Sequence, residues 1–150
     1  MEKYTVGIYF DDQLKRIALI LKNRPKWQEG RFNFPGGHIE ENESGINCVI
    51  REFQEECGIN TSINDWKEIG IILNEEFYEV KVFTAIQKIE HGEICTKEDQ
   101  MVTWVDIDNL PTNIISNLYW LIPFAFNFWR QGNNDRLKFG IFRYEYPNLK

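Results

Sequence analysis

The most informative stretch of the 150-residue sequence is Gly37-His-Ile-Glu-Glu-Asn-Glu43-Ser-Gly-Ile-Asn-Cys-Val-Ile-Arg51-Glu52-Phe53-Gln-Glu55-Glu56-Cys-Gly58-Ile59. Apolar residues recur through its second half at spacings of three and four, namely Ile46, Val49, Ile50, Phe53 and Cys57. This spacing is typical of an amphipathic helix. We predict a helix that is capped by Asn42 or Glu43, continues to about Glu56 and is stopped by Gly58.

Three carboxylates share one face of this predicted helix. At about 100° per residue, Glu52 and Glu56 lie roughly 40° apart, and Glu55 lies about 60° to the other side of Glu52. Like charges at this spacing repel each other, so the face calls for a compensating cation. Oxygen ligands favour Mg²⁺, or alternatively Mn²⁺, over zinc.

The same face continues backwards through two small residues, Cys48 and Gly45, which lets a loop lie close above the acids. Pro35-Gly36-Gly37 is the candidate loop, because a glycine lets its backbone approach a ligand or metal without an intervening side chain. Arg51 stands beside Glu52 and is suited to hold a carboxylate in place. Glu43 is an available partner for it.

These residues resemble the signature of the Nudix family. Its fixed positions are filled by Gly37, Glu43, Arg51, Glu52, Glu55, Glu56 and Gly58, and its two bulky apolar positions by Phe53 and Ile59. The resemblance implies an α/β fold, an α/β/α sandwich with a central mixed sheet. It also implies a metal-dependent hydrolase that cuts a diphosphate linkage in a nucleotide.

The resemblance further implies roles for individual residues. The metal ligands would be Glu52, Glu55 and Glu56 with the carbonyl of Gly36. Arg51 would orient them with Glu43, and Glu52 is the commonest candidate for activating water. A further acid before a late strand often reaches a metal in this family, and here Glu98 and Asp99 are both available.

Four residues are candidates for substrate binding. Asn33 resembles a base-contacting residue in family members that hydrolyse purine nucleoside triphosphates. The alternative, an Asn at a turn or strand end that satisfies backbone groups, is supported equally well by the sequence. Gly37 and His38 lie beside the expected phosphate site, where many relatives carry Lys in place of His38. Ser116 and Asn117 replace an acidic pair of the oxidised-purine hydrolases, which argues against 8-oxoguanine recognition.

Three functions remain open from the sequence. The leading one is hydrolysis of a nucleoside triphosphate to monophosphate and pyrophosphate. The second is hydrolysis of a nucleoside diphosphate linked to another group, such as ADP-ribose, a dinucleotide or a capped RNA end. The third is a non-catalytic module that senses nucleotides.

The remaining elements are predicted from local patterns. Strands are expected at 4–10 and 17–21, joined by a turn at 11–13, and then at 66–73, 76–88, 101–107 and 138–144. The apolar segment 113–130 predicts a second helix that is broken or started near Pro123.

Composition limits the classes of protein to consider. The length and the 43% hydrophobic content predict one domain over residues 1–150. The formal net charge of −6 argues against nucleic acid as a partner. No signal peptide or membrane-spanning stretch is visible, and three unpaired cysteines fit reduced thiols, so we expect a cytoplasmic protein. A homodimer is compatible with the sequence.

Overall fold

The computed structural model describes residues 1–74, 76–131 and 139–144, and these form eight strands, two α-helices and three short 3₁₀ helices. The strands are β1 (Glu2–Phe10), β2 (Arg16–Leu21), β3 (Phe32–Asn33), β4 (Gly36–His38), β5 (Lys67–Asn74), β6 (Tyr78–Ile86), β7 (Val102–Asp106) and β8 (Gly140–Arg143). The helices are α1 (Gly45–Cys57) and α2 (Leu118–Arg130). The predicted strands are confirmed, with ends that differ by a few residues.

The strands form one mixed sheet. Its main order is β3-β2-β1-β6-β5-β8, while β4 pairs with β1 and β7 pairs with β2. The pairs β1–β6 and β5–β8 are parallel, and the other pairs are antiparallel. The mixed sheet expected from the resemblance is therefore confirmed.

The two helices cover opposite faces of this sheet. Along β1, Ile8 and Phe10 belong to the apolar cluster that includes α2, whereas Tyr9 belongs to the cluster that includes α1. Side chains alternate between the faces of a strand, so this assignment places one helix on each side. The predicted α/β/α sandwich is confirmed.

Helix α1 begins slightly later than predicted. Its N-cap is Ser44, whose hydroxyl accepts a hydrogen bond from the backbone N–H of Asn47, and not Asn42 or Glu43. Ser44 has the extended backbone that a cap requires, whereas Asn42 has a φ of 63°. The end at Gly58 is as predicted, with a left-handed φ of 72°.

Helix α2 differs more from the prediction, because Pro123 lies inside it instead of breaking or starting it. Pro123 has no N–H to donate to the carbonyl of Tyr119, four residues earlier in the helix. Both residues are exposed, so water can hydrate that carbonyl instead. The helix is held by four buried residues that pack on the sheet: Leu118, Leu121, Ile122 and Ala125. Packing therefore outweighs the lost hydrogen bond.

The segment before α2 is not helical. It runs beside β3, where Phe32 donates its N–H to Asn113 and accepts the N–H of Ile115. None of the helices within the described ranges combines the length and the apolar character needed to cross a membrane.

Close contact between β1 and α1 requires a residue without a side chain at Gly7. A Cβ there would lie 2.3 Å from Cε2 of Phe53 and 2.9 Å from Cη2 of Trp66. Both residues are buried in the cluster that includes α1, so neither ring has free space to move into. Gly7 thus sets the distance between the sheet and the helix that carries the acids.

We expect Gly7→Ala to lower the free energy of unfolding by about 1–3 kcal/mol, because the added methyl group overpacks this contact. Denaturant unfolding measures the loss. The double variant Gly7→Ala/Phe53→Leu should lose less than the sum of the two single variants, because the smaller side chain makes room for the methyl group. Strict additivity would contradict this explanation.

Candidate active site

Arg51 is the centre of a group of carboxylates at the surface of α1. Its Nε and Nη2 donate to the two oxygens of Glu43 at 2.8 and 2.9 Å. Its Nη1 donates to Glu52 at 3.0 Å and to Glu55 at 3.2 Å, and its Nη2 also donates to the carbonyl of His38 at 3.1 Å. One guanidinium therefore connects the loop after β4 with two of the three helix acids.

The contact with Glu43 is the strongest of these. It is bidentate, the geometry in which Arg and carboxylate pair best, and the Glu43 side chain is only 14% exposed. Hydrogen bonding from Arg51 lowers the pKa of Glu43 to about 2, and the backbone N–H of Glu40 contributes to the same shift. Both groups are consequently charged at all physiological pH values.

Glu52 lies directly against the glycine loop. A Cβ on Gly37 would lie 2.2 Å from Oε1 of Glu52, so a side chain there would displace this carboxylate from its present position. Burial raises the pKa of Glu52, and the positive charge of Arg51 opposes this shift. The result is a carboxylate that is desolvated but oriented, with Oε1 occupied by Arg51.

Glu56 is the most buried of the three helix acids, with 7% of its surface exposed. The backbone N–H of Gly36 donates to its Oε1 at 2.9 Å. Burial raises the pKa of Glu56 to about 8 despite this hydrogen bond, and the nearby charge of Glu52 adds to the increase. The site is therefore short of positive charge, and a proton or a cation must neutralise it.

This donor set fits a hard divalent cation in its chemistry. Among the described residues, however, no three acidic, His or Cys side chains are grouped closely enough to hold a metal in their present orientations. Glu55 is half exposed and turned toward Arg51. A bound cation would share the carboxylates of Glu52 and Glu55 with Arg51, which occupies one oxygen of each.

The structure distinguishes the two acids that the sequence left open. Asp99 accepts a hydrogen bond from Arg24 at 2.8 Å and another from Asn23. Burial is the main cause of the raised pKa of Glu52 and Glu56, and the charge of Glu98 adds to it at both. The charge of Glu98 thus acts on the helix acids, whereas Asp99 is paired with Arg24.

Lys22 was not identified from the sequence. Burial lowers the pKa of Lys22, while the negative charges of Glu56 and Glu52 oppose that shift, so its ammonium lies within electrostatic range of these acids. The signal was a Lys directly after the apolar run of β2, where a strand end meets a polar loop. Such a position is too common in sequences to predict a site by itself.

The substrate-binding candidates lie in different surroundings. The side-chain amide of Asn33 donates to Gln28 at 3.0 Å and accepts the backbone N–H of Phe34 at 2.8 Å. Asn33 therefore satisfies a backbone group, as the alternative interpretation of the sequence expected. The ring of His38 is paired with Glu2 at the surface. Asn117 is buried at the start of α2, where its carbonyl accepts the N–H of Leu121. The structure therefore does not bring these three side chains together with the acids.

Part of the glycine-and-cysteine face was predicted wrongly. Sγ of Cys48 lies 3.4 Å from the carbonyl of His38, so the loop does pass over this residue. Gly45 does not lie under the loop, because a Cβ there would meet the aliphatic chain of Lys81 on β6 at 2.7 Å. Its small size serves the contact between α1 and the sheet.

Comparison with known proteins gives a sequence-family match over most of the chain. The NUDIX domain matches residues 1–123. Three curated relatives are 29% identical: mRNA decapping complex subunit 2 of Schizosaccharomyces pombe over 103 residues, CTP pyrophosphohydrolase of Escherichia coli over 94, and oxidized purine nucleoside triphosphate hydrolase of Mus musculus over 113. These matches cover 62%, 57% and 72% of this chain.

The same matches cover different shares of the relatives themselves. The chain spans 14% of the length of the S. pombe protein, 64% of the E. coli protein and 68% of the mouse protein. Among solved structures, the MutT protein from Bacillus halodurans superposes with a TM-score of 0.68 at 24% identity, covering 100% of this chain and 94% of that one. This similarity establishes the fold.

The pairing of Glu43 with Arg51 has a consequence for stability in acid. Because the folded state lowers the pKa of Glu43 from 4.5 to about 2, the pair stabilises the fold above pH 4.5. That contribution is lost as the pH falls from about 4.5 to 2. Its upper bound is about 3 kcal/mol, which solvent screening reduces.

We therefore expect Glu43→Gln to flatten the decrease in unfolding free energy between about pH 4.5 and 2, as measured by denaturant titrations across that range. Glu41→Gln is the matched control, because Glu41 is exposed on the same loop. If the free energy of unfolding of Glu43→Gln decreases with pH as steeply as that of the wild type over this range, the ion pair does not stabilise the fold.

Proposed function

Because this chain belongs to the Nudix family, we propose that it hydrolyses a nucleoside triphosphate between the α and β phosphates, releasing monophosphate and pyrophosphate. The supporting observation is the pair of desolvated carboxylates, Glu52 and Glu56, that lies against the glycine loop, with Glu52 held by Arg51 and Glu56 by the N–H of Gly36. Two buried acids beside accessible backbone are suited to gather cations around a diphosphate.

Nudix hydrolases use divalent metal ions, and the residues that would hold them here are Glu52, Glu55, Glu56 and Glu98 with the carbonyl of Gly36. We propose Mg²⁺, with Mn²⁺ as the alternative, because all of these ligands are oxygens. The bound cations would offset the charge of the diphosphate and make a nearby water more acidic.

Glu52 is the proposed general base. Its Oε1 is held by Arg51, which leaves Oε2 to accept the proton of the attacking water. Burial raises the pKa of Glu52 toward the range in which a carboxylate works best as a base near neutral pH. As the water oxygen bonds to the α phosphorus, the bond to the bridging oxygen breaks and pyrophosphate leaves.

Arg51 and Glu43 are the proposed orienting pair. Their bidentate contact fixes the guanidinium, so the remaining Nη1 hydrogens keep Glu52 and Glu55 at fixed positions. Fixing the geometry of a catalytic carboxylate before the substrate arrives lowers the entropic cost of the reaction.

Substrate binding is proposed to use cations and loop backbone. Lys22 offers an ammonium beside Glu56 that can pair with a phosphate. Gly37 would contact the same group through its backbone, and His38 could reach it only by leaving Glu2. Asn33 and Asn117 remain proposed base contacts, in which Asn33 would use the N–H and lone pair that Gln28 and Phe34 leave free.

The preference for a nucleoside triphosphate is supported by two of the relatives. One is named a CTP pyrophosphohydrolase and the other an oxidized purine nucleoside triphosphate hydrolase. They differ in their bases, and this chain has Ser116 and Asn117 where the oxidised-purine hydrolases have an acidic pair. We therefore propose the triphosphate, and not a particular base, as the feature that is recognised.

We expect Glu52→Gln to reduce kcat by about 10²–10⁴-fold, because an amide cannot accept the proton of water. Glu56→Gln should also reduce turnover, since it removes a charged ligand. Steady-state hydrolysis with Mg²⁺ measures both, and Glu90→Gln, an exposed acid elsewhere on the chain, is the control. A near-normal kcat in Glu52→Gln would refute its role as the base.

A substrate panel tests the reaction itself. Nucleoside triphosphates, 8-oxo-dGTP, ADP-ribose, dinucleotides and capped RNA are incubated with the protein and Mg²⁺ or Mn²⁺, and the products are separated. We expect equal amounts of monophosphate and pyrophosphate from a triphosphate, and no reaction when EDTA removes the metal. Turnover of ADP-ribose or capped RNA alone would support the second function, and metal-dependent binding without turnover would support a sensing module.

A further inference from the structure

A buried glutamine connects the two segments that flank the acids. Gln100 is 5% exposed, and its Oε1 accepts the backbone N–H of Asn23 at 2.9 Å. Asn23 belongs to the strand extension, which we define as residues 22–24 after β2. Gln100 ends the acidic loop, which we define as residues 95–100. A buried side chain thus ties the segment that bears Lys22 to the segment that bears Glu98.

The same two segments have further contacts at the surface. Arg24 forms an ion pair with Asp99 at 2.8 Å, and both side chains are more than half exposed. The amide of Asn23 also donates to Asp99 at 3.3 Å. Exposed contacts of this kind contribute little because water screens them. Just outside the segments, the N–H of Leu21 donates to the carbonyl of Met101 at 2.8 Å and joins the same two stretches of chain. Gln100 adds a buried side-chain link between the segments themselves.

The other end of the acidic loop is attached to α1. Cys95 donates its N–H to the carbonyl of Cys57 at 2.9 Å, and Lys97 donates to the carbonyl of Glu56 at 3.3 Å. The loop therefore bridges the end of α1 and the end of β2. The hydroxyl of Thr96 also accepts the N–H of Val102 at 2.9 Å. Glu98 lies between the attachments at Lys97 and Gln100, so we expect release of the Gln100 hydrogen bond to let Glu98 shift relative to Glu56.

We propose that Gln100 is a positioning residue that holds Glu98 and Lys22 toward one another across the metal and phosphate site. This inference rests on the proposed function, because it takes Glu98 to be a metal ligand. Gln100 itself touches neither the metal nor the substrate. Residues that orient metal ligands from behind typically change metal affinity or activity by about 10–100-fold when they are replaced.

The variant that tests this role is Gln100→Leu, which keeps the approximate size of the side chain but removes the acceptor for Asn23. Mn²⁺ binding to the full chain is measured by isothermal titration calorimetry without nucleotide, so that the result does not depend on turnover. We expect Mn²⁺ affinity to fall by about 10–100-fold. Gln100→Asn, which keeps the amide but shortens its reach, should lose an intermediate amount and provides the test if Gln100→Leu does not fold.

The control variant is Thr84→Val. Thr84 is fully buried, and its hydroxyl donates to the carbonyl of Ile8 at 2.7 Å and accepts the Nε1–H of Trp129 at 2.9 Å. Its replacement therefore also removes buried hydrogen bonds, but ones that join β6 to β1 and to α2. We expect Thr84→Val to lower Tm without changing Mn²⁺ affinity. If Gln100→Leu likewise lowers Tm and leaves Mn²⁺ affinity unchanged, Gln100 is merely structural and the inference is overturned.

A double-variant cycle separates this inference from the proposed function. If Gln100 acts through Glu98, then Gln100→Leu should have little further effect on Mn²⁺ affinity in a Glu98→Gln background. Additive effects would overturn the inference, as would Glu98→Gln with wild-type affinity. Failure of the wild-type protein to bind Mn²⁺ at all would instead overturn the proposed function.

Discussion

The interaction on which the site depends is the one between the Arg51 guanidinium and the carboxylates around it. Placing several acids on one face of a packed helix is unfavourable, because each loses water and repels its neighbours. Arg51 offsets part of this cost at Glu43, Glu52 and Glu55. Glu56 accepts the N–H of Gly36 instead, and its pKa stays raised to about 8 although that hydrogen bond and the charge of Lys22 oppose the shift. It therefore retains the demand for a cation that the proposed chemistry uses.

The sheet makes this arrangement possible by bringing backbone close to the helix. Gly7 lets α1 pack against β1, and Gly37 lets β4 pass directly over Glu52. Because β4 is itself paired with β1, the glycine loop and α1 both contact the same strand. The acids are thereby positioned relative to a strand whose second half is fully buried, and interior packing is rigid enough to keep such distances constant.

Patterns among residues that are close in sequence predicted much of the helix and of the acids on it. The helical spacing of apolar residues, the left-handed stop at Gly58 and the shared face of Glu52 and Glu56 are properties of residues that are close in sequence, and these are what periodicity reports. The same locality explains the errors. Pro123 was expected to break or start α2, but tertiary packing of its buried face outweighs one missing hydrogen bond, and Gly45 lies against Lys81 on β6, which is distant in sequence.

The sequence alone thus determined the family signature, the alternation of strands and helices, and the acids that share one helical face, since each depends on spacing along the chain. Tertiary structure decided which acid is deeply buried, that Asp99 is paired with Arg24, and that the charges of Glu98 and Lys22 act on the buried Glu56. Those outcomes depend on the desolvation and proximity of groups separated by dozens of residues. Only the folded arrangement of β2, α1 and the acidic loop fixes these distances.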